Sequence, residues 1–323
     1  MTAFKLGTRG SPLALFQAGA VAALLREHAG VTCEIVVIKT SGDRLSEANL
    51  SEVGGKRLFV KEIEDALLAG TIDVAVHSSK DMPAVLPPGL GLGAVLARED
   101  ARDAMVLPHG TGDALTVDEV VRRLGRTPRI GTSSIRRTAQ LTRMFPGAQF
   151  LPIRGNLDTR LRKLDTGEFD VIVLAAAGLK RLQQDARISA LLPPEACVPA
   201  PGQGIIAIEI REDDDRARGI VERINEPLSA AALAAERAVV ARLGGGCQMP
   251  IGAYATAFDG ELRMIAIVMS ADGARAARAE ARGPLKQAAQ VSIDAANQLL
   301  ARGAADILAD VERAQGLVQG SQP

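Results

Sequence analysis

The sequence predicts an α/β protein with two lobes built on mixed, mainly parallel sheets, followed by a smaller α+β C-terminal domain with an antiparallel sheet. Three observations predict it. Short apolar runs alternate with helical patterns at the spacing of βαβ units. Two segments recur in the same order: Lys5-Leu6-Gly7-Thr8-Arg9-Gly10-Ser11 resembles Arg129-Ile130-Gly131-Thr132-Ser133-Ser134, and Gly70-Thr71-Ile72-Asp73-Val74-Ala75-Val76 resembles Gly167-Glu168-Phe169-Asp170-Val171-Ile172-Val173. After Asp213-Asp214-Asp215 the pattern changes to a long alanine-rich helix and alternating strands.

The first strand is Phe4-Lys5-Leu6. Ser11 is a good N-cap and Pro12 a good first helical residue, so a helix is expected from 12 to about 28, stopped by Gly30. Residues 33–39 read as a buried strand, 41–57 as a polar, glycine-containing mobile loop, 58–69 as a helix and 71–77 as a strand. The turn at 100–103 reads as the crossing into the second lobe. Pro193-Pro194 and the stretch from Pro199 to Gly204 read as the return, after which 204–210 completes the first lobe's sheet. The implied domains are 1–99 with 200–220, then 100–199, then 221–323. In the last, a helix at about 228–243 is stopped by Gly244-Gly245-Gly246. Strands follow at 254–258 and 263–269, and a closing helix at 284–302.

Composition narrows the function. The chain has 323 residues and a formal net charge of zero, with 47% hydrophobic, 24% charged and 2% aromatic residues and no Trp. A nucleic-acid binder would carry excess positive charge, and a single-strand binder aromatic platforms, so no nucleic-acid partner is expected. No run approaches the roughly 20 apolar residues of a membrane span, and the first residues carry no stretch resembling a signal peptide. The expectation is a cytoplasmic protein without a membrane partner. Cys33, Cys197 and Cys247 show no CxxC spacing, and His28, His77 and His109 form no ligand motif, so no metal site is expected.

Local chemistry is more specific. Gly131-Thr132-Ser133-Ser134-Ile135-Arg136-Arg137 and Arg154-Gly155-Asn156-Leu157-Asp158-Thr159-Arg160 each follow an apolar run and open a helix. Cations are unfavourable in a helix's first turn, where the macrodipole is positive. An anionic ligand held by helix N-terminal amides and guanidinium forks would explain them. In open α/β sheets ligands bind beyond the carboxyl ends of strands. Arg9, Ser11, Lys80, Asp81, Ser134, Arg136, Arg137, Arg154 and Arg160 all fall at such ends or at helix starts. Any one of these arginines by itself reads as a solvated or paired surface charge; the set reads as one anion-binding cleft. Asp81 is either an ion-pair partner for a neighbouring cation or a group that stabilises positive charge developing on a substrate. Cys247, after its glycines, is either a small packed residue or an exposed attachment point. Phe59 is either core or a face for an aromatic ligand. Gly54-Gly55-Lys56-Arg57 lacks the spacing of a P-loop.

Taken together, Gly7-Thr8-Arg9-Gly10-Ser11-Pro12-Leu13-Ala14-Leu15, His77-Ser78-Ser79-Lys80-Asp81-Met82-Pro83, Gly131 to Arg137, Ile153 to Leu161, Ala177-Gly178-Leu179-Lys180-Arg181-Leu182, Pro199 to Gly204 and Gly245-Gly246-Cys247-Gln248-Met249-Pro250-Ile251-Gly252 resemble the porphobilinogen deaminase family, whose members are also called hydroxymethylbilane synthases. The pieces keep the family's order across nearly the whole chain. The resemblance implies two lobes like those of periplasmic binding proteins and a monomer. It implies that Cys247 carries a dipyrromethane cofactor through a thioether, and that four porphobilinogen units are added to it head to tail. Each unit loses ammonia to give an azafulvene, which the free α-carbon of the growing chain attacks; hydrolysis then releases linear hydroxymethylbilane. Asp81 matches the family's catalytic carboxylate. Arg9, Ser11, Lys80, Ser134, Arg136, Arg137, Arg154, Arg160 and Arg181 match positions that bind substrate and cofactor side chains or help ammonia leave, and Phe59 matches a loop aromatic. Gly10, Ser79 and Arg57 depart from common members, and Arg57 bears on the motion of its loop. The alternative is a non-enzymatic, two-lobed anion-binding receptor, which the echo and strand-end arginines would also suit.

Overall fold

The computed structural model describes residues 3–44, 60–111, 115–244 and 249–319. In chain order its strands are β1 (Phe4–Thr8), β2 (Cys33–Val37), β3 (Val74–Ser78), β4 (Leu90–Val95), β5 (Asp103–Val106), β6 (Arg129–Gly131), β7 (Gln149–Leu151), β8 (Val171–Ala175), β9 (Ala190–Leu192), β10 (Ile206–Arg211), β11 (Ile251–Phe258), β12 (Glu261–Met269) and β13 (Ala276–Pro284). They form three sheets, ordered β2-β1-β3-β10-β4, β7-β6-β8-β5-β9 and β11-β12-β13.

The first two sheets share one plan. In each, three strands run parallel, and the fourth position is filled antiparallel by a strand reached through a crossing between lobes: β10 in the first, β5 in the second. The internal echo of the sequence falls on equivalent strands. β1 and β6 occupy the same place in their sheets, as do β3 and β8. The architecture is therefore two α/β lobes with mixed, mainly parallel sheets plus a smaller antiparallel α+β unit. Among the described residues, no helix is long and apolar enough to cross a membrane.

Local chemistry sets the elements that carry the cleft. The helix Pro12–Ala29 starts where the Ser11 hydroxyl accepts from the Ala14 amide, and it stops at Gly30, whose φ of 66° is the left-handed conformation glycine tolerates. Ser134 and Asn156 cap the helices Ile135–Leu141 and Leu157–Asp165 by accepting from the amides of Arg137 and Thr159. Part of the expected loop is ordered, with a short helix at Ser41–Arg44; the rest of 41–57 lies outside the described residues. The next helix, expected from 58, is described as Lys61–Leu68. At the other end, the helix Ala288–Ala301 is followed by Ala304–Gln319, which the sequence reading did not separate or anticipate. Gly303, with φ of 84°, makes the break.

Two crossings join the lobes, at 96–102 and 193–205, and they hydrogen-bond to each other where the Glu99 amide donates to the Gly204 carbonyl; the Leu96 amide donates to the carbonyl of Ile206 at the start of β10. Gly204 has φ of 88°, and a Cβ there would lie 2.2 Å from the Glu99 carbonyl oxygen, so only glycine lets the two strands approach this closely. The third sheet seats itself on this junction. Its inner face packs Leu262, Met264, Ala266 and Val268 against its own helices Pro227–Arg242 and Ala288–Ala301. The outward Ile267 and Met269 pack on Ala139 of the Ile135–Leu141 helix and on Val198 of the second crossing. β12 is thus covered on both faces, which is why its apolar run is nearly continuous. A buried ion pair adds a second tie. Arg98 Nη1 lies 2.6 Å from Oε1 of the fully buried Glu236, and its guanidinium stacks 4.7 Å from the centre of the Tyr254 ring.

Candidate functional site

The described residues singled out from the sequence share a location, because each follows the carboxyl end of a parallel strand. Arg9 and Ser11 follow β1, and Lys80 and Asp81 form the 3-10 turn Ser79–Asp81 after β3. Ser134, Arg136 and Arg137 follow β6, and Arg154 and Arg160 follow β7. Arg181 ends the short helix Ala176–Arg181 after β8. The set therefore comes from both lobes and sits at the carboxyl ends of their parallel strands, where this class of fold takes its ligands. Nearby, the lobes approach each other, with a Cβ on Gly178 lying 3.8 Å from Leu13 Cδ2.

Arg160 feels charge from both lobes. Burial pulls the Arg160 guanidinium down to about 10; the like charge of Arg137 adds to this and the carboxylate of Asp81 opposes it. Asp81 of one lobe and Arg137 of the other thus act on Arg160 in opposite senses. Arg160 Nε also donates to the Gly155 carbonyl at 2.9 Å, which fixes the base of its side chain inside its own turn.

Not every cation keeps its donors for the cleft. Arg181 Nη2 donates to the Gly204 carbonyl at 2.7 Å, in the second crossing, and burial lowers its pKa while Glu99 opposes that effect. Arg136 and Arg137 already have an internal anion. Asp103, the first residue of β5, has no exposed side-chain surface and lies 2.8 Å from Arg136 Nη2 and 2.7 Å from Arg137 Nη2. The first-turn arginines of this helix therefore have a protein counter-ion, and an external ligand is not needed to explain their position. Asp103 offsets the helix-dipole strain that the sequence pattern alone would leave to an external anion.

In the sequence Asp103 reads as part of the turn at 100–103. A signal was present, since an aspartate opening the apolar run Asp103-Ala104-Met105-Val106 must be paired if the run is buried. Burial pushes its carboxyl up, but the charges of Arg136 and Arg137, with hydrogen bonds from Arg137 and Gln203, hold it well below the usual carboxylate range. A depressed folded pKa contributes stability above the unfolded value, about 3.9, and loses it as pH falls towards the folded value. Asp100, held down against burial by hydrogen bonds from Arg102 and Lys180, acts in the same sense. We expect the urea midpoint to be flat from neutral pH to about 5 and to drop below about 4, with Asp103 alone worth on the order of 2 kcal/mol. An unchanged midpoint at pH 2.5 would contradict the pairing.

Among the cysteines, Cys197 is fully buried and its thiol is pushed up to about 12 by burial and by Asp103. Burial also raises the Cys33 thiol. Cys247 and Phe59 lie outside the described residues. Cys247 follows the helix Pro227–Arg242 and precedes β11.

Comparison with known proteins gives two family-model matches. Residues 4–219 match the porphobilinogen deaminase, dipyromethane cofactor binding domain, and residues 230–301 match the porphobilinogen deaminase, C-terminal domain. Solved structures similar to the chain include YhfZ from Shigella flexneri, at 12% identity over 71% of this chain and 92% of that one, with a TM-score of 0.36. They also include substrate binding domain 2 of Lactococcus lactis GlnP in an open conformation, at 9% identity over 70% and 87%, with a TM-score of 0.42.

Proposed function

Since the chain belongs to the porphobilinogen deaminase family, we propose that it performs the hydroxymethylbilane synthase reaction: porphobilinogen units are deaminated, joined head to tail and released as linear hydroxymethylbilane. The observation that carries this reading is the family match over residues 4–219 and 230–301, with Asp81 standing beyond β3 of one lobe and the arginines beyond β6, β7 and β8 of the other. A generic anion receptor needs cations only. A carboxylate among them suits a substrate that is itself anionic at its edges and becomes cationic at its centre.

The site chemistry fits a dipyrromethane. Such a group carries several carboxylates, and the strand-end arginines supply forked donors whose geometry matches carboxylates. When bound, it supplies the free pyrrole carbon that takes the first incoming unit and keeps the growing chain attached, in our reading through Cys247. Arg9, Ser11, Lys80, Ser134, Arg136, Arg137, Arg154, Arg160 and Arg181 would orient acetate and propionate side chains, and Phe59 would cover the pyrroles. Asp81 would accept hydrogen bonds from pyrrole N–H groups and offset the positive charge that appears as ammonia leaves. The crossings at 96–102 and 193–205 give the lobes a hinge by which the cleft can widen as the chain lengthens. We assign 1–99 with 200–220, 100–199 and 221–323 as the three domains, and we take the protein to be a cytoplasmic monomer.

The direct test is incubation of purified protein with porphobilinogen. Ammonia and a linear tetrapyrrole should appear in a four-to-one ratio. Absence of porphobilinogen consumption by the intact chain would refute the reading.

A further inference from the structure

Asp103 has more contacts than a simple counter-ion needs. Its Oδ1 accepts from Arg137 Nε at 3.0 Å, Arg137 Nη2 at 2.7 Å and Gln203 Nε2 at 2.9 Å. Its Oδ2 accepts from Arg136 Nη2 at 2.8 Å and from the Cys197 thiol at 3.4 Å. The guanidiniums are also tied to main chain: Arg136 Nη1 donates to the Val198 carbonyl at 2.6 Å and Arg137 Nη1 to the Val173 carbonyl at 2.7 Å. Neither arginine can swing as a free arm, and their side chains are only 6% and 9% exposed. Both nonetheless stand in the first turn of the helix Ile135–Leu141, directly beyond the carboxyl end of β6, the end of the sheet at which this class of fold takes its ligands.

Two guanidiniums and one carboxylate leave the trio with a single net positive charge. That balance matters for a ligand that must move. An uncompensated arginine pair would hold a carboxylate equally in ground and transition states, which lowers KM without raising kcat, and would slow the shift of the chain that precedes each further addition, which lowers kcat. We propose that Asp103 is a positioning residue: it fixes Arg136 and Arg137 as one preformed anion site and halves their charge, so that carboxylates of the growing chain are recognised without being trapped. This rests on the hydroxymethylbilane synthase reading for its substrate.

The test compares Asp103→Asn with the charge-balanced double variant Asp103→Asn/Arg136→Gln, each as full-length protein, in porphobilinogen turnover at low and high KCl. Asp103→Asn should lower KM about fivefold and kcat about tenfold, with both changes shrinking in high salt. The double variant restores the net charge of one and should return KM to within about twofold of wild type. A purely structural role predicts the opposite order, with raised KM in the single variant and a further loss in the double; that result would overturn the proposal, as would an unchanged single variant. If Asp103→Asn does not fold, the double variant decides alone: KM within about twofold of wild type supports the proposal, and a rise of about tenfold or more overturns it. A wild-type chain without porphobilinogen turnover would count against the functional reading instead. Citrate binding would then judge Asp103, with Asp103→Asn expected to bind at least about threefold more tightly than wild type and equal or weaker binding overturning the proposal.

Discussion

Asp81→Asn is expected to keep the fold and to lower kcat for porphobilinogen by at least about a hundredfold, the scale of losing one preorganised electrostatic group. The substitution is nearly isosteric and removes one charge at the end of the turn Ser79–Asp81, away from the buried strands. The loss should fall on kcat more than on KM, because the positive charge that Asp81 offsets exists only as ammonia departs. Circular dichroism and a thermal melt would establish the fold, and single-turnover ammonia release would report the chemical step. Wild-type turnover by the folded variant would remove Asp81 from the mechanism.

Cys247→Ser should have the larger effect, abolishing the covalent adduct and lowering turnover by at least about a thousandfold. Intact-mass measurement of the purified wild-type chain should give an excess equal to two linked pyrrole units, absent from the variant. The other cysteines argue by their chemistry for the same position. The thiolate is the reactive form, and burial raises the pKa of both Cys197 and Cys33. Cys33→Ser should therefore keep the adduct. An active enzyme of unmodified mass would sink the assignment of the cofactor, and an adduct that survives in Cys247→Ser would sink the assignment of its attachment point.

Much of the fold was legible because it is written in local rules. Ser11-Pro12 and Gly30 bound the first helix in sequence and in structure alike. The echo between Lys5-Leu6-Gly7-Thr8 and Arg129-Ile130-Gly131-Thr132 marks strands that hold the same place in two sheets. The break at Gly303 was harder to read, since one glycine between alanine-rich helical stretches resembles a tolerated defect as much as a stop. β12 was legible as a strand, but what covers its second face was not. Ile267 and Met269 meet Ala139 and Val198, residues far away along the chain.

The candidate site divides in the same way. Its members could be named from the sequence because strand ends and helix starts are local features, and the carboxyl ends of parallel strands meet in one place in this class of fold. How each arginine spends its donors could not. Arg181 turns to the Gly204 carbonyl, Arg136 and Arg137 close on Asp103, and Arg160 lies in the field of Asp81. Every one of those partners is separated from its arginine by a stretch of chain that only folding brings back. The sequence by itself therefore determined the βαβ units, their duplication, the family and the list of candidate residues. Tertiary structure alone decided which charges are neutralised inside the protein and which face the cleft, because electrostatic pairing depends on distance through space and burial, and neither is a property of neighbouring residues in the chain.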